Sequence, residues 1–426
     1  MSRLLVAALL VGSCTRKAPT ASVAEQTTKP AAVAKAELPK PTESAQSDAT
    51  AAEVSAIAGS VNVLAMSLYG QLRAPKGNVF FSPYSISTAL AMTYGGARGN
   101  TAAEMRKTLH LSLAEPRLHA AEASLARKLR SREGYALHVA NALWPARGCG
   151  VLPEYSAMTR RHYGAYVQEV DFGNEESARA TINHWVEEQT QDKIKNLIPE
   201  GILNPLIRLV ITNAIHFKGD WAAKFDKSQT EREPFYLLEG NRVRAPTMIQ
   251  TGRFRTGIAD DVKLLELDYA GGDLSMLIVL PKERTGLPAV EESLSVTSIR
   301  KWRETLKKRT IEVHLPRFKI EASCSLDKQL KTLGMRDAFS KRAADFSGMS
   351  REPLYIYKVL HKAFVEVNEK GTKAAAATAV IMKAKSISRD EPPVPEFRAD
   401  HPFLFLIQHR ETGAILFLGR LASPSA

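Results

Sequence analysis

One stretch constrains the fold more than any other: "EKGTKAAAATAVIMKAKS", residues 369–386. It separates two segments rich in the β-branched and aromatic residues of strands, "KAFVEVN" (362–368) and "EFRADHPFLFLI" (396–407). About 25 residues of weak structural signal therefore lie inside a core-forming part of the chain. Loops of that length in a compact domain are as a rule functional or disordered. Intrinsic propensity favours helix over "AAAATAVIMKAK" (374–385). Threaded as a strand instead, the run places Thr372, Ala374, Ala376, Thr378, Val380 and Met382 on one face, with Lys373 and Lys383 on the other. The first face is uncharged and begins with small side chains. Such a ribbon can enter a tight slot between strands without burying a charge, and Gly371 offers hinge freedom at its start.

The rest of the chain reads as one body. With 426 residues, 44% of them hydrophobic, it can bury a sizeable core. No internal repeat and no second linker appear after Val54. Helices are predicted at "SVNVLAMSLYGQLRA" (60–74), "SARATINHWVEEQT" (177–190) and "CSLDKQLKTLGM" (324–335), the last with Leu326, Leu330 and Leu333 at helical spacing. In "SPYSISTALAMTYGG" (82–96), Ile86, Ala89, Leu90, Thr93 and Tyr94 share a helical face that Gly95-Gly96 terminates. Strands are predicted over 208–217, 274–281, 310–320 and 362–368. The tail 403–421 reads as a hairpin turning near Glu411 to Gly413. Helices early and strands late imply an α+β class rather than a regular βαβ alternation.

Several chemistries have no motif here. There is no CxxC, HExxH or Cys/His cluster for a metal, and no GxSxG, Walker loop or GxGxxG for catalysis or a cofactor. His110, His119, His216 and His361 have no sequence partners that suggest a triad and read as structural. An enzyme is not expected, nor a cofactor, nor a nucleic-acid partner. Three cysteines, Cys14, Cys149 and Cys324, exclude a disulfide scaffold. Free thiols are the reading, with a Cys149–Cys324 bridge as the alternative. The net charge is +13, and the first 53 residues are close to neutral, which leaves about +12 on the body. That charge suits a polyanion or an anionic membrane surface, or is simply background. The basic segment "RLHAAEASLARKLRSR" (117–132) is either a polyanion-binding helix or a solvated face.

At the N-terminus, "MSRLLVAALLVGSC" carries one arginine and a short apolar run, too short to span a bilayer and consistent with a secretory signal. Its end, Val11-Gly12-Ser13-Cys14, resembles the bacterial lipobox, which implies a lipid on Cys14. Residues 15–53, rich in Ala, Pro, Thr, Ser and Lys, cannot bury enough apolar surface to order themselves. The expected organisation is a signal at 1–13, a disordered tether at 14–53 and a single domain at 54–426. The protein would be exported and held on the outer membrane or cell surface, or otherwise secreted.

Four motifs then carry a resemblance: "NVFFSPYSISTALAMTYGGARGNTAAEM" (78–105), "TNAIHFKGDWAAKFD" (212–226), "EKGTKAAAATA" (369–379) and "ADHPFLFLI" (399–407). Over residues 54–424 the chain resembles an inhibitory serpin. The resemblance implies a monomeric, metastable body of three β-sheets with about eight to nine helices, and an exposed reactive-centre loop over about 369–395. It implies that Ser82, Pro83, Ser85, Asn213 and His361 form a sheet-opening "shutter", and that Trp221 stands at the mouth where the loop enters. The hinge would comprise Glu369, Gly371 and Thr372, followed by Ala374, Ala376 and Thr378. Hinge length in inhibitory members implies a reactive bond at Lys385–Ser386, fourteen residues on from Gly371, with Arg389 as a competing basic site. A lysine there suits a trypsin-like serine protease. The expected function is suicide-substrate inhibition by acylation and loop insertion. The alternatives are a non-inhibitory serpin acting in binding, carriage or chaperoning, and cross-class inhibition of cysteine proteases.

Overall fold

The structure, a computed structural model, describes residues 49–74, 76–372 and 393–424. The signal and Cys14, the tether as far as residue 48, the side chains of 372–382 and the Lys385–Ser386 bond lie outside the described residues. Nine α-helices are described: α1 (Ala51–Leu72), α2 (Pro83–Tyr94), α3 (Gly99–Thr108), α4 (Arg117–Lys128), α5 (Pro153–Tyr163), α6 (Glu175–Gln189), α7 (Leu287–Ser293), α8 (Val296–Glu304) and α9 (Asp327–Thr332). The strands run β1 (Val79–Phe81), β2 (Tyr135–Pro145), β3 (Tyr166–Val167), β4 (Leu209–Asp220), β5 (Thr230–Tyr236), β6 (Arg242–Ala259), β7 (Val262–Asp268) and β8 (Leu274–Pro281). They continue with β9 (Lys307–Pro316), β10 (Phe318–Ser325), β11 (Ile356–Val367), β12 (Gly371–Thr372), β13 (Glu396–Arg398), β14 (Phe403–His409) and β15 (Ile415–Leu421).

Local chemistry sets the element ends. Helix α1 starts inside the stretch read as tether, because Thr50 and Glu53 form a capping box: the Thr50 hydroxyl accepts from the Glu53 N–H, and the Glu53 carboxylate accepts from the Thr50 N–H. Its Val54, Ile57, Val61, Leu64 and Leu68 then face the core. Helix α2 opens with a Ser82 cap and Pro83 in its first turn, where a missing N–H costs nothing. Every residue of α2 is buried, so its surroundings exceed the one-sided stripe read from the sequence. It packs among α1, β2, β4 and β15. Gly334, at φ 114°, ends α9 as its position implies.

The α+β class holds, with one change in the strands. Residues 310–320 are not one strand but two, β9 and β10, separated at Arg317 and assigned to different sheets. The three expected sheets are connected into two hydrogen-bonded networks among the described residues. One is nine-stranded, ordered β1-β15-β14-β8-β7-β6-β9-β13 with β5 also on β6. The linkage arises because β6, 18 residues long, pairs with β5 along one half and β7 along the other, with β9 on its opposite edge. The second network is ordered β10-β11-β4-β2-β3, with β12 on β4. One face of that sheet packs Ile211, Ile215, Phe217 and Val365 into the main core. The other packs Trp144, Val210 and Ala214 against Ile182 and Val186 of α6.

Cys149 is buried, Cys324 is half-buried, and both are free thiols, so the bridge alternative is not realised. Burial pushes each thiol up to about 12, leaving almost no thiolate at neutral pH. The expected result is that neither residue is alkylated by iodoacetamide in the folded protein at pH 7, that both are alkylated after unfolding, and that reductant leaves the unfolding temperature unchanged. Peptide mapping by mass spectrometry and a thermal melt check this.

Candidate functional site

The central pair of the second sheet is its notable feature. β4 and β11 run parallel, whereas β11 pairs antiparallel with β10, and β4 antiparallel with β2. Parallel pairing is slightly weaker per residue than antiparallel. The parallel ladder ends at Phe364↔His216. Above it β12 takes over, antiparallel to β4, with Gly371 opposite Asp220 and Thr372 opposite Gly219. Gly219 already pairs with Tyr135 of β2 on one edge, so β12 occupies the edge that β11 leaves. The connection from β11 is a two-residue hairpin: Asn368 and Gly371 exchange N–H···O bonds of 2.9 and 3.0 Å around Glu369-Lys370. The chain therefore turns directly into the space between β11 and β4.

The residues at this mouth are held tightly. Trp221 Nε1 donates to the Asn368 carbonyl at 3.0 Å, and the Trp221 backbone N–H donates to the Lys370 carbonyl at 2.9 Å. Its ring stacks on Tyr269 with centroids 4.6 Å apart. Glu369 is buried; its carboxylate accepts from Thr230 Oγ1 at 2.8 Å and lies 3.6 Å from Arg317, and its carbonyl accepts from the Phe225 N–H. Gly371 sits at φ 130°, and a Cβ there would lie 2.1 Å from the Gly219 carbonyl oxygen. Only glycine fits both the backbone angle and the approach.

Lower on the seam, Ser82, Ser85, Asn213 and His361, four of the five residues expected to form the shutter, assemble into one network. Asn141 of β2, Asn213 of β4 and His361 of β11 lie in register on three adjacent strands. Ser82 and Ser85 meet them from the start of α2. His361 Nε2 accepts from the Ser82 N–H at 3.1 Å, so the ring carries its proton on Nδ1, which donates to Asn213 Oδ1. Asn213 Nδ2 donates to Ser85 Oγ and to Asn141 Oδ1. Ser82 Oγ donates to the Leu416 carbonyl at 2.6 Å and accepts from the Ser85 N–H at 3.1 Å, while Pro83 fixes the first turn of α2. Burial holds His361 at about 3, far below the ordinary 6.5, because the charged ring would be desolvated. A proton on Nε2 would also set two donors, ring and Ser82 N–H, face to face.

All the expected mouth, hinge and shutter residues that fall among the described ones thus meet at β4 and β11. Sequence reading missed Asn141, Asn368, Thr230 and Arg317. Asn141 had a signal, a lone asparagine in the apolar strand "YALHVANALWP"; the others hold the mouth through backbone geometry or long-range pairing. The remaining histidines serve other places: His119 Nδ1 bonds Tyr163 Oη at 2.7 Å, and His110 sits at a left-handed turn. The basic segment 117–132 is helical only to Lys128, and four of its five Lys and Arg side chains are engaged. Arg117 pairs with Glu53, Lys128 with Glu411 at 2.8 Å and Arg132 with Asp273 at 2.8 Å, while Arg127 donates to Ser124 Oγ. This favours the packed, solvated face over the polyanion site.

The His361 geometry fixes a pH dependence. The folded state binds fewer protons than the unfolded chain between about 3 and 6.5, so this group's contribution to stability is intact above 6.5 and is lost as pH falls toward 3. Urea midpoints measured across that window are expected to fall with acid, and the fall is expected to be shallower in His361→Gln.

Comparison with known proteins agrees with this geometry. The profile of the serpin (serine protease inhibitor) family matches residues 59–424. Human leukocyte elastase inhibitor is 44% identical over 361 residues, which cover 82% of this chain and 94% of that protein. An uncharacterised serpin-like protein of Thermococcus kodakarensis is 44% identical over 372 residues, 86% of each chain. The crystal structure of uncleaved ovalbumin superposes with a TM-score of 0.79 at 32% identity, covering 86% of this chain and all of the other. With these residues gathered around a parallel seam, and with a family model and relatives matched over most of its length, the chain belongs to the serpin family.

Proposed function

We propose that the chain is a suicide-substrate inhibitor of trypsin-like serine proteases, acylated at Lys385. The observation that carries this reading is the first rung of a new strand, Gly371–Thr372, already lodged at the head of the β4–β11 seam. The protease serine attacks the Lys385 carbonyl, the bond to the Ser386 nitrogen breaks, and an ester joins Lys385 to the enzyme. Freed at that end, the segment extends the existing hairpin into the seam and takes the acylated protease with it.

Two independent registers support the length of that strand. Continued from Gly371↔Asp220 along β4, Ala374 falls opposite Phe217, Ala376 opposite Ile215, Thr378 opposite Asn213 and Val380 opposite Ile211. Continued from Asn368↔Gly371 along β11, Thr378 falls opposite His361 and Ala376 opposite Ala363. The one hydroxyl in the middle of the run therefore arrives between the two residues whose hydrogen bond insertion must break. Met382 reaches Leu209, the first residue of β4, and Lys385 passes just beyond it. Fourteen residues, 372–385, span about 45 Å at about 3.3 Å each. A cut after Arg389 would leave four surplus residues past the sheet, which favours Lys385. Insertion also replaces one parallel ladder with two antiparallel ones.

The reading includes export, with a lipid on Cys14 holding the domain at the cell envelope. Cys14→Ser is expected to move the protein from the membrane fraction to the soluble one; an unchanged distribution removes the anchor from the account.

The decisive experiment mixes the protein with trypsin. An SDS-resistant adduct and a released peptide beginning at Ser386 are expected. A cleaved band without adduct favours the non-inhibitory alternative, and a peptide beginning at Asp390 moves the bond to Arg389. Thr372→Arg, which forces an unpaired charge into the seam, is expected to be cleaved at a normal rate yet to give at least tenfold less adduct. Thr378→Val, which leaves His361 and Asn213 without a replacement partner, is expected to raise the number of inhibitor molecules consumed per protease trapped.

A further inference from the structure

The sequence suggested no metal site, but the fold brings a cluster of two carboxylates and an imidazole together away from the seam. On β9, Glu312 and His314 are two residues apart and share a face. β13 pairs parallel to β9 and places Glu396 opposite Glu312 and Arg398 opposite His314. Ligand atoms of Glu312, His314 and Glu396 all lie within 4.8 Å of one another. The second shell is also present. His314, almost wholly buried, turns Nδ1 to the Glu233 carboxylate at 3.2 Å and directs Nε2 at Glu312 Oε1, 3.0 Å away. An imidazole backed by a carboxylate on one nitrogen, with the other facing acidic ligands, is the arrangement that orients metal-binding histidines. The Glu312 Oε2 atom is steadied by Thr251 Oγ1 at 3.1 Å.

The charges point the same way. Like charges directly opposite on paired strands repel, yet Glu312 and Glu396 are such a pair, with Glu233 behind them. Arg398 is the cation of the group: it reaches Glu233 at 2.7 Å, Glu396 at 3.2 Å and His314 Nε2 at 3.2 Å. Three carboxylates against one guanidinium leave two negative charges when His314 is neutral.

We propose that Glu312, His314 and Glu396 bind a divalent metal ion of the zinc class that latches β13 to β9. One imidazole nitrogen, two carboxylates and a water make a four-coordinate zinc set. Tetrahedral ligands at zinc distances sit about 3.3 Å apart, so side chains whose ligand atoms lie within 4.8 Å close by at most about 1.5 Å. Arg398 keeps Glu233 and releases the ring nitrogen. The latch has a consequence because β13 is the first described strand after the 373–392 segment. An uncleaved chain that inserts into the seam must still return to β13, so it has to pull that strand from β9. A metal bridge between the two strands opposes this premature insertion and leaves insertion after cleavage unhindered.

The test uses the full chain, stripped of metal, titrated with zinc chloride by calorimetry. One ion per chain is expected. His314→Ala and Glu396→Gln are each expected to weaken binding at least tenfold, Glu233→Gln by about tenfold, and Arg398→Gln to tighten it. The Glu396 side chain is half-exposed, so its variant folds, and circular dichroism confirms this for all four. Zinc is further expected to slow hydrogen exchange at the Ala399 amide, which donates to the His314 carbonyl at 2.9 Å, in the natural chain but not in Glu396→Gln. Absence of binding, or binding of unchanged strength in both His314→Ala and Glu396→Gln, overturns the proposal. Neither measurement reads inhibition, so the result stands apart from the fate of the inhibitory reading.

Discussion

The hydrogen bond from His361 to Asn213 is the constraint on which the molecule's behaviour depends. It spans the central pair of the second sheet, where β4 and β11 run in the same direction and pair directly. A single neutral hydrogen bond contributes only about 0.5–1.5 kcal/mol net. The cost of breaking it without replacement is larger, because both partners are fully buried and each unsatisfied group carries its own desolvation penalty of about 1–3 kcal/mol. The seam therefore resists casual opening. Under the proposed function it yields to a strand that brings its own hydroxyl to the same level, the role the continued register gives to Thr378.

The head of the seam is built on opposite terms. There the parallel ladder has already stopped, and Gly371 lets its backbone approach that of β4 where any side chain would collide, while a side chain on Gly219 would meet the Phe217 and Tyr269 rings. Trp221 holds the hairpin by its carbonyls rather than by side chains, so the grip is indifferent to the identity of Lys370. The buried Glu369 adds an anchor through Thr230 and Arg317. Under the proposed function, a closed middle and a head already turned into the seam make a sheet that stays shut until the segment after Thr372 is free to move.

Much of this was legible in the sequence, for identifiable reasons. The alternating small face after Gly371 is a local pattern, and local patterns survive without coordinates. The polar residues of the shutter were nameable only through resemblance. Ser82, Asn213 and His361 are far apart in the chain, and each alone reads as a satisfied core polar group. Asn141 stood out as a lone asparagine in its strand, but a local pattern does not say which distant residues such a side chain will meet. The division of 310–320 escaped because strand propensity runs straight through Arg317, and only tertiary pairing decides that the chain changes sheets there. The Glu312–Glu396 pair was invisible for the same reason: register between distant strands has no footprint in either strand.

That change of sheet has a mechanical meaning. Six consecutive residues, Glu312 to Arg317, touch both shores of the reactive segment: Glu312 and His314 clasp the strand beyond it, and Arg317 reaches the glutamate before it. The two ends of the 373–392 segment thus rest on one short length of backbone rather than on separate parts of the body. Their spacing is fixed by a length of backbone, not by the summed tolerances of two sheets. Anything that shifts this short stretch shifts both ends of the segment together.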